Sequence, residues 1–319
     1  MPPDFRGVPA WSRWMNVELD APANPPETPP AERPLSPPDA DPPLTVIEPR
    51  SGWEFIDLNE IWRYRELLGI LIWRDVKVRY KQTILGAAWA ILQPLATMMV
   101  FTLFLGDITR DPRSPIPYPL FVFCGMLMWT SFANAVTSAS NSVVASQNLV
   151  TKIYFPRMLI PLGAIGAVAV DVLVSSLMLA LLMIGYAIEG YPLTIGWRIL
   201  LAPFLVLALG MAATGLGTLL SALTVAYRDF RHVVPFLVQL WLFATPSIFV
   251  QAGTMFGPRG RAVLLLNPVH GLIVNFRSAV FNQPFEPLAL GSSLAVSLGL
   301  LLFGCLYFRR VERRFADII

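Results

Sequence analysis

The chain has 319 residues, of which 55% are hydrophobic and 14% are charged, and its formal net charge is +3. Soluble domains carry about 25% charged residues, so several membrane spans explain this composition better than one soluble core does. The weak positive charge gives no support to nucleic-acid binding. Two cysteines inside apolar runs and two distant histidines predict neither a disulfide nor a metal site.

Residues 1–50 contain about half of the 29 prolines, many of them in pairs. Such a segment builds neither helix nor sheet, and it has too little apolar surface to fold. We therefore predict a disordered tail that serves as a solvated extension. Docking of a partner on the tail is the alternative.

Residues 51–83 predict an amphipathic helix that lies flat on the membrane surface. Asp57 and Glu60 have the spacing of a capping box. The apolar side chains that follow at helical spacing are Leu58, Ile61, Leu68, Ile72 and Val76, and the basic ones are Arg63, Arg65, Arg74, Lys77, Arg79 and Lys81. Trp62 and Trp73 suit a lipid headgroup layer, which completes the pattern of an interface helix. Packing of this helix against a partner is a compatible alternative.

Residues 84–308 predict an all-α, polytopic domain of six transmembrane helices, each close to the roughly 20 residues that cross a hydrocarbon core. The predicted spans are 84–106, 119–141, 158–186, 199–225, 232–250 and 288–308. Basic residues concentrate before the first span, after the last one, and in the second and fourth connections. By the positive-inside rule, the N-terminus and the C-terminal tail at 309–319 are both cytoplasmic.

Polar groups inside the spans are candidates for the interior of the bundle. In the first span, Trp89 and Gln93 have polar atoms, and Pro94 frees backbone carbonyls that protein must satisfy. Asp171 in the third span is costly in lipid and should face protein or a wet cavity. Two roles stay open for Asp171: helix packing, for example with Ser175, and contact with a substrate.

Two connections between spans predict specialised segments. The cytoplasmic segment 146–157 carries apolar side chains among polar ones, which predicts a short helix that docks in a groove of a soluble partner. The alternative is that this helix rests on the membrane surface. In the outer connection at 251–287, Asn267 and Pro268 predict a helix start, with an N-cap residue before a proline. This helix and a shorter one before it do not reach across a membrane. We predict a re-entrant pair that acts as an outer gate, with rest on the outer surface as the alternative.

The chain resembles the permease subunit of the ABC-2 family of polysaccharide exporters, which serve O-antigen, capsule and teichoic acid. The matching stretches are Arg79 to Pro94, Tyr118-Pro-Leu-Phe with Gly125 and Trp129, Asn148 to Arg157, Tyr227-Arg-Asp, Thr245-Pro246, Leu266-Asn-Pro268 with Phe276-Arg277, and Glu312 to Ile318. They cover nearly everything after residue 55, in order, and the proline-rich tail lies outside the match.

The resemblance implies a homodimer in the bacterial inner membrane, in which each six-span subunit binds a cytoplasmic P-loop ATPase that holds ATP and Mg²⁺. The residues expected to contact the ATPase are Arg74, Lys77, Arg79, Asn148, Lys152, Tyr154, Phe155 and Arg157. Those expected to line a channel for a lipid-linked glycan are Trp89, Gln93, Phe101, Trp129, Phe132, Asp171 and Trp241, because aromatic faces stack on sugar rings. The outer gate is expected at Asn267, Pro268, Phe276 and Arg277.

The sequence contains no Gly-x-x-x-x-Gly-Lys-Ser/Thr, so the chain lacks this device for cradling ATP and is not expected to be an enzyme by itself. A membrane-embedded glycosyl or acyl transferase needs convergent acids or histidines, whereas those of this chain are isolated. A secondary transporter usually shows an internal repeat, and we see none. An ABC-2 permease for another lipid or drug shares the fold and is the nearer alternative.

Overall fold

The structure is a computed structural model that describes residues 58–81, 88–109, 116–152, 155–245, 257–312 and 315. The prediction for residues 1–50 falls outside this part of the chain. Arg50–Ile319 form one compact unit. Its described residues lie in helices and in the turns between them, without a strand, which confirms the all-α prediction.

The helices, in chain order, are α1 (Leu58–Arg63), α2 (Arg65–Tyr80), α3 (Ala88–Thr109), α4 (Tyr118–Ala145), α5 (Gln147–Lys152), α6 (Leu159–Ile188), a 3-10 helix (Trp197–Leu201), α7 (Ala202–Ala226), α8 (Phe230–Phe243), α9 (Gly257–Leu265), α10 (Pro268–Val280) and α11 (Pro287–Glu312). The α4 helix is central and packs against α3, α6, α7, α8 and α10.

Within the described residues, four segments are long and apolar enough to cross a membrane: α4, α6, α11, and the 3-10 helix together with α7. They confirm the second, third, fourth and sixth predicted spans. The first and fifth predicted spans coincide with α3 and α8, whose apolar stretches, Ile91–Gly106 and Phe230–Phe243, are shorter. Parts of both predictions, residues 84–87 and 246–250, lie outside the described residues. Length and apolarity of the described helices thus support four spans.

Two apolar cores lie at opposite ends of α4. The larger one surrounds the first turns of α4, where Leu120, Phe123 and Leu127 are fully buried among α7 and α10. The smaller one joins Phe308 and Phe315, whose ring centroids are 5.3 Å apart, to residues around α5. We call these two ends of the bundle the α10 end and the α5 end.

The predicted interface helix is divided at Tyr64 into α1 and α2, and its apolar stripe contacts protein. Ile61 and Leu68 pack on the smaller core. Ile72 lies against α6, where Gly166 leaves room for it: a Cβ at Gly166 would lie 2.7 Å from the Ile72 side chain. The large apolar side chains left exposed on these helices are Trp62, Ile70, Trp73 and Val78. The apolar stripe therefore packs α2 against the helix bundle. The prediction from the sequence had this stripe facing the membrane surface.

Candidate functional site

A polar cavity of about 330 Å³ lies between α2, α3, α4 and α6. Four of its lining residues were predicted from the sequence to face the bundle interior: Trp89, Gln93, Pro94 and Asp171. Its other polar lining residues are Arg79, Tyr80, Thr130, Ser131, Asn134, Ser138 and Ser175. Because the Trp89 side chain is 51% exposed, an aromatic face stands beside hydroxyl and amide groups. This is the chemistry of a site for a polar, uncharged ligand.

Asp171 is bound by two residues of α2. Arg79 Nη1 donates to Asp171 Oδ2, and Tyr80 Oη donates to Asp171 Oδ1. The second guanidinium nitrogen, Arg79 Nη2, donates to Ser138 Oγ of α4 at 3.3 Å. The Arg79 side chain is 30% exposed and that of Asp171 is 16% exposed, so the ion pair is only partly screened by solvent. The network therefore neutralises an acid inside a spanning helix and ties α2, α4 and α6 together.

The register of α2 on α6 brings the network together. Leu71 lies against Gly163, where a Cβ would be 3.0 Å from that of Leu71. Eight residues further along both helices, Arg79 meets Asp171. At 1.5 Å per residue, α2 runs alongside α6 for about 12 Å in the same direction. The small side chains of α6 thus allow the close contact that places the arginine beside the acid.

Tyr80 acts as a fixed hydrogen-bond donor in this network. Burial, and after it the hydrogen bond to Asp171, raises the pKa of Tyr80 to about 12. The phenol therefore stays protonated throughout the physiological range. Its proton is available to Asp171, and it adds no charge to the cavity.

Four other residues predicted to line a channel lie away from this cavity. Trp129 and Phe132 are 3% and 1% exposed, and with Trp241 of α8 they form an aromatic cluster inside the subunit. The Phe132 and Trp241 ring centroids are 5.5 Å apart and the rings are nearly perpendicular. Phe101 packs half-buried against the larger core. The structure brings together Trp89, Gln93 and Asp171, and it places the aromatic cluster between α4 and α8.

The predicted ATPase-contacting residues divide into exposed and structural groups. The side chains of Lys77, Asn148 and Lys152 are exposed, whereas Phe155 is 5% exposed and belongs to the smaller core. Arg157 Nη1 donates to the carbonyl oxygen of Glu312, so it satisfies the last turn of α11. Tyr154 lies outside the described residues.

Arg74, the remaining member of this set, is half-buried near the α5 end. It forms an ion pair with Asp75 at 2.8 Å, and its Nη2 donates to Ser146 Oγ at 3.3 Å. Arg79 is engaged in the Asp171 network described above. Both arginines therefore connect α2 to the bundle, and the three exposed residues are the ones available to a partner.

The four predicted gate residues are all buried at the α10 end. Asn267 is the N-cap of α10: its side chain accepts from the Val269 amide at 3.0 Å, with Pro268 at the first position, which confirms the predicted helix start. Phe276 is 3% exposed. The guanidinium carbon of Arg277 lies 3.6 Å from the Phe121 ring centroid, and Arg277 Nε donates to the Phe121 carbonyl oxygen at 3.2 Å.

Sequence reasoning missed Tyr80 and the polar residues of α4. Nothing in the sequence marks Tyr80 as a partner of an acid more than ninety residues away. The α4 residues carried a readable signal, because Thr130, Asn134, Ser138 and Ser142 recur at every fourth position of the helix and Ser146, its C-cap, continues the spacing. Residues four apart share one helix face.

The comparisons with known proteins identify the family. The ABC-2 type transporter profile matches residues 66–281. The chain is 30% identical over 267 residues to the O-antigen export system permease protein RfbA of Myxococcus xanthus. The aligned region covers 82% of this chain and 98% of that protein. It is 25% identical to the protein of the same name from Klebsiella pneumoniae, over 80% and 95% of the two chains.

A more distant relative is the capsule polysaccharide export inner-membrane protein CtrC of Neisseria meningitidis serogroup A. It is 25% identical over 71% of this chain and 83% of its own length. The family profile spans more than half of the 319 residues, from α2 to the end of α10. The resemblance stated from the sequence motifs is therefore confirmed: the chain is a member of the ABC-2 type transporter family.

Proposed function

We propose that this chain is the transmembrane permease subunit of an ABC transporter that exports a lipid-linked polysaccharide across the bacterial inner membrane. The observation that carries the proposal is the 30% identity to an O-antigen export permease along 98% of that protein's length. We propose that ATP and its Mg²⁺ bind to a separate P-loop ATPase, two copies of which serve a permease dimer; the sequence of this chain contains no P-loop motif of its own.

The six-span arrangement is part of the proposal. The α3 helix has 22 residues and is about 33 Å long, enough for a hydrocarbon core, although its apolar stretch is shorter. The α8 helix has 14 residues and would have to continue beyond Phe243 to cross. We propose that the α5 end, where Lys77 and Lys152 are exposed, faces the cytoplasm and that both chain termini lie on that side.

We expect a single cysteine at Leu266 to be labelled by an impermeant maleimide on intact cells that lack an outer-membrane barrier. The side chain of Leu266 is 71% exposed and it lies just before α10. The background carries Cys124→Ser and Cys305→Ser, since both native cysteines are buried. Lys152→Cys, exposed at the α5 end, should be labelled only after lysis. The reverse pattern would overturn the topology.

We propose a homodimer whose subunits meet along α3 and α8. The α3 and α8 helices contribute large, exposed side chains: Met99, Val100, Leu103, Phe104, Phe236, Leu237, Leu240 and Phe243. A second copy of the chain would cover these surfaces and enclose a path between the subunits. The aromatic cluster of Trp129, Phe132 and Trp241 then supports the wall of that path through α8.

Gating at the outer side is assigned to α9 and α10. The N-cap residue Asn267 donates through Nδ2 to Thr245 Oγ1 at 2.8 Å, which connects the start of α10 to the end of α8. Arg277 connects the other end of α10 to α4 through Phe121. A shift of α8 or α4 driven by the ATPase would reach α10 through these two contacts.

Lys152→Glu is expected to weaken association with the ATPase by about tenfold or more, because a reversed charge at an interface costs affinity directly. Lys152 is exposed at the end of α5, so the change should leave the fold intact. Co-purified ATPase per permease measures the effect. Lys152→Arg keeps the charge and should retain wild-type association; equal retention by both variants would remove Lys152 from the contact surface.

The proposed function is tested by deleting the gene and by affinity purification of the tagged chain from its native membrane. We expect loss of one polysaccharide from the cell surface, its accumulation inside the cell, and co-purification of a P-loop ATPase at about equal stoichiometry. An unchanged surface glycan together with a co-purifying ATPase would point to export of another lipid or drug. Purification without an ATPase, under conditions that preserve related complexes, would contradict the proposal.

A further inference from the structure

A second cavity, of about 340 Å³, adjoins the Asp171 cavity on the side of the α5 end. It lies between α2, α4 and α6, and it shares the lining residues Arg79 and Ser138 with the first cavity. Because Arg79 donates to Ser138 across this boundary, the two cavities meet at one hydrogen bond. They form two chambers of a single groove.

One face of α4 forms the floor of both chambers. Thr130 and Asn134 line the first chamber, Ser138 lines both, and Ser142 and Ser146 line the second. This row runs from residue 130 to residue 146, a separation of sixteen residue steps or about 24 Å along the helix axis. Thr130 and Ser142 donate to carbonyl oxygens of α4 itself, whereas the Asn134 amide is costly in lipid and needs protein, water or a ligand beside it. In the same groove, the buried side-chain oxygen of Asn141 accepts no hydrogen bond from the described residues.

The charges on the groove walls cancel. The charged lining residues are Arg74 and Arg79, and Asp75 and Asp171. Each arginine already pairs with an aspartate, Arg74 with Asp75 at 2.8 Å and Arg79 with Asp171. The walls therefore present hydroxyls, amides and the Trp89 indole without an excess of positive charge. Binding of phosphate or a polyanion would need an excess of positive charge. Neutral sugars need hydroxyl and amide partners and an aromatic face, which these walls present.

We propose that the two chambers form a binding groove for a short, uncharged stretch of sugar chain, which enters at the α5 end and passes Arg79 to reach Trp89 and Asp171. The proposal rests on the proposed export function and deepens it: the bound substrate is neutral along this groove. The Arg79–Ser138 hydrogen bond is the point at which sugar hydroxyls displace protein contacts. Asn134, Ser142 and the unpartnered oxygen of Asn141 supply replacement hydrogen bonds along the row.

Photocrosslinking in cells tests the groove with the full chain, its native partner and its native glycan. Asn134 is exposed, so benzoylphenylalanine at this position should be tolerated. Ala145 is exposed and lines the second chamber, so it also receives benzoylphenylalanine. Ser176 on α6 lies outside both chambers and receives benzoylphenylalanine as the control. After irradiation, carbohydrate bound to the purified chain is stained, hydrolysed and its sugars are identified.

We expect carbohydrate at positions 134 and 145, none above the unirradiated background at 176, and neutral monosaccharides after hydrolysis. Absence of carbohydrate at both groove positions, with the chain present in the membrane in normal amount, overturns the groove. A crosslinked product dominated by acidic or phosphorylated sugars overturns the neutral-substrate assignment. Failure of the export function is recognised separately, because the deletion strain would then keep its surface glycan.

Discussion

Replacing Gly304 with valine should prevent the chain from accumulating as folded protein. At this residue α11 crosses α7 with backbone against backbone, and a Cβ at Gly304 would overlap the carbonyl oxygen of Gly215. No change of rotamer can relieve the overlap, because both partners are helix backbone. We expect a loss of stability at or above the roughly 1–3 kcal/mol that overpacking usually costs, and alanine should already be harmful.

The matched control for this variant is Gly299→Val on the same helix. Among the described residues, no atom outside the adjoining backbone of α11 lies within 4 Å of a Cβ at Gly299, so the same substitution should be accommodated there. The yield of monodisperse protein after mild detergent extraction, together with its apparent melting temperature, measures both variants. Similar yields for the two would show that the α7–α11 crossing is looser than the structure describes.

The lengths and positions of the four long helices could be predicted from the sequence, because uninterrupted apolar runs specify a spanning helix by composition alone. The prediction of 158–186, for example, corresponds to Leu159–Ile188. The start of α10 could also be predicted, since Asn267 and Pro268 act locally as N-cap and first residue. Local chemistry and average hydropathy are therefore enough for these elements.

Apart from the polar row of α4, which face of each spanning helix packs could not be predicted, because a helix that is apolar on all sides marks none of them. Trp129 illustrates the problem: an aromatic residue in a span suits a channel wall, lipid or core, and the structure buries it against Trp241. The partners of Asp171 lie on α2, more than ninety residues earlier in the chain. Close packing of α2 on α6 at Gly166 brings these partners to Asp171. A single glycine in the sequence does not show which helix packs against it.

The same limit explains α2. Its apolar stripe predicted burial of one face, and this face is buried, but the sequence pattern could not distinguish lipid from α6 as the covering surface. Contact with Gly163 and Gly166 decides in favour of α6. The helix that carries three of the predicted ATPase contacts is thereby joined to the helix that carries Asp171. Movement of α2 at the membrane surface is then movement at the cavity.

This connection gives the second large prediction, which concerns Asp171→Ala. The change leaves the Arg79 guanidinium without its carboxylate and Tyr80 without this hydrogen-bond acceptor. Exposed ion pairs contribute about 0–1 kcal/mol, and loss of one partner from a fully buried pair costs roughly 3–5 kcal/mol. With side chains that are 30% and 16% exposed, the expected cost lies between these limits, at about 2 kcal/mol. The apparent melting temperature should fall by several degrees.

A second variant separates stability from transport. Arg79→Met combined with Asp171→Leu removes both charges and fills similar volume, so most of the lost stability should return. Export should be impaired in this double variant for two reasons. The apolar contact that replaces the ion pair does not hold α2 and α6 in one register, and the substitutions remove polar groups from the cavity. Glu189→Ala, at the exposed end of α6, is the control and should change neither property.

The comparison of these variants decides what the Arg79–Asp171 pair does. If the double variant recovers both stability and export, the pair serves only to neutralise a buried acid, and the coupling of α2 to the cavity lies elsewhere. If Asp171→Ala melts like the unmodified chain, the ion pair is too well solvated to matter. Recovered stability without recovered export is the expected result, because the arginine both positions α2 and lines the space through which a polar ligand would pass.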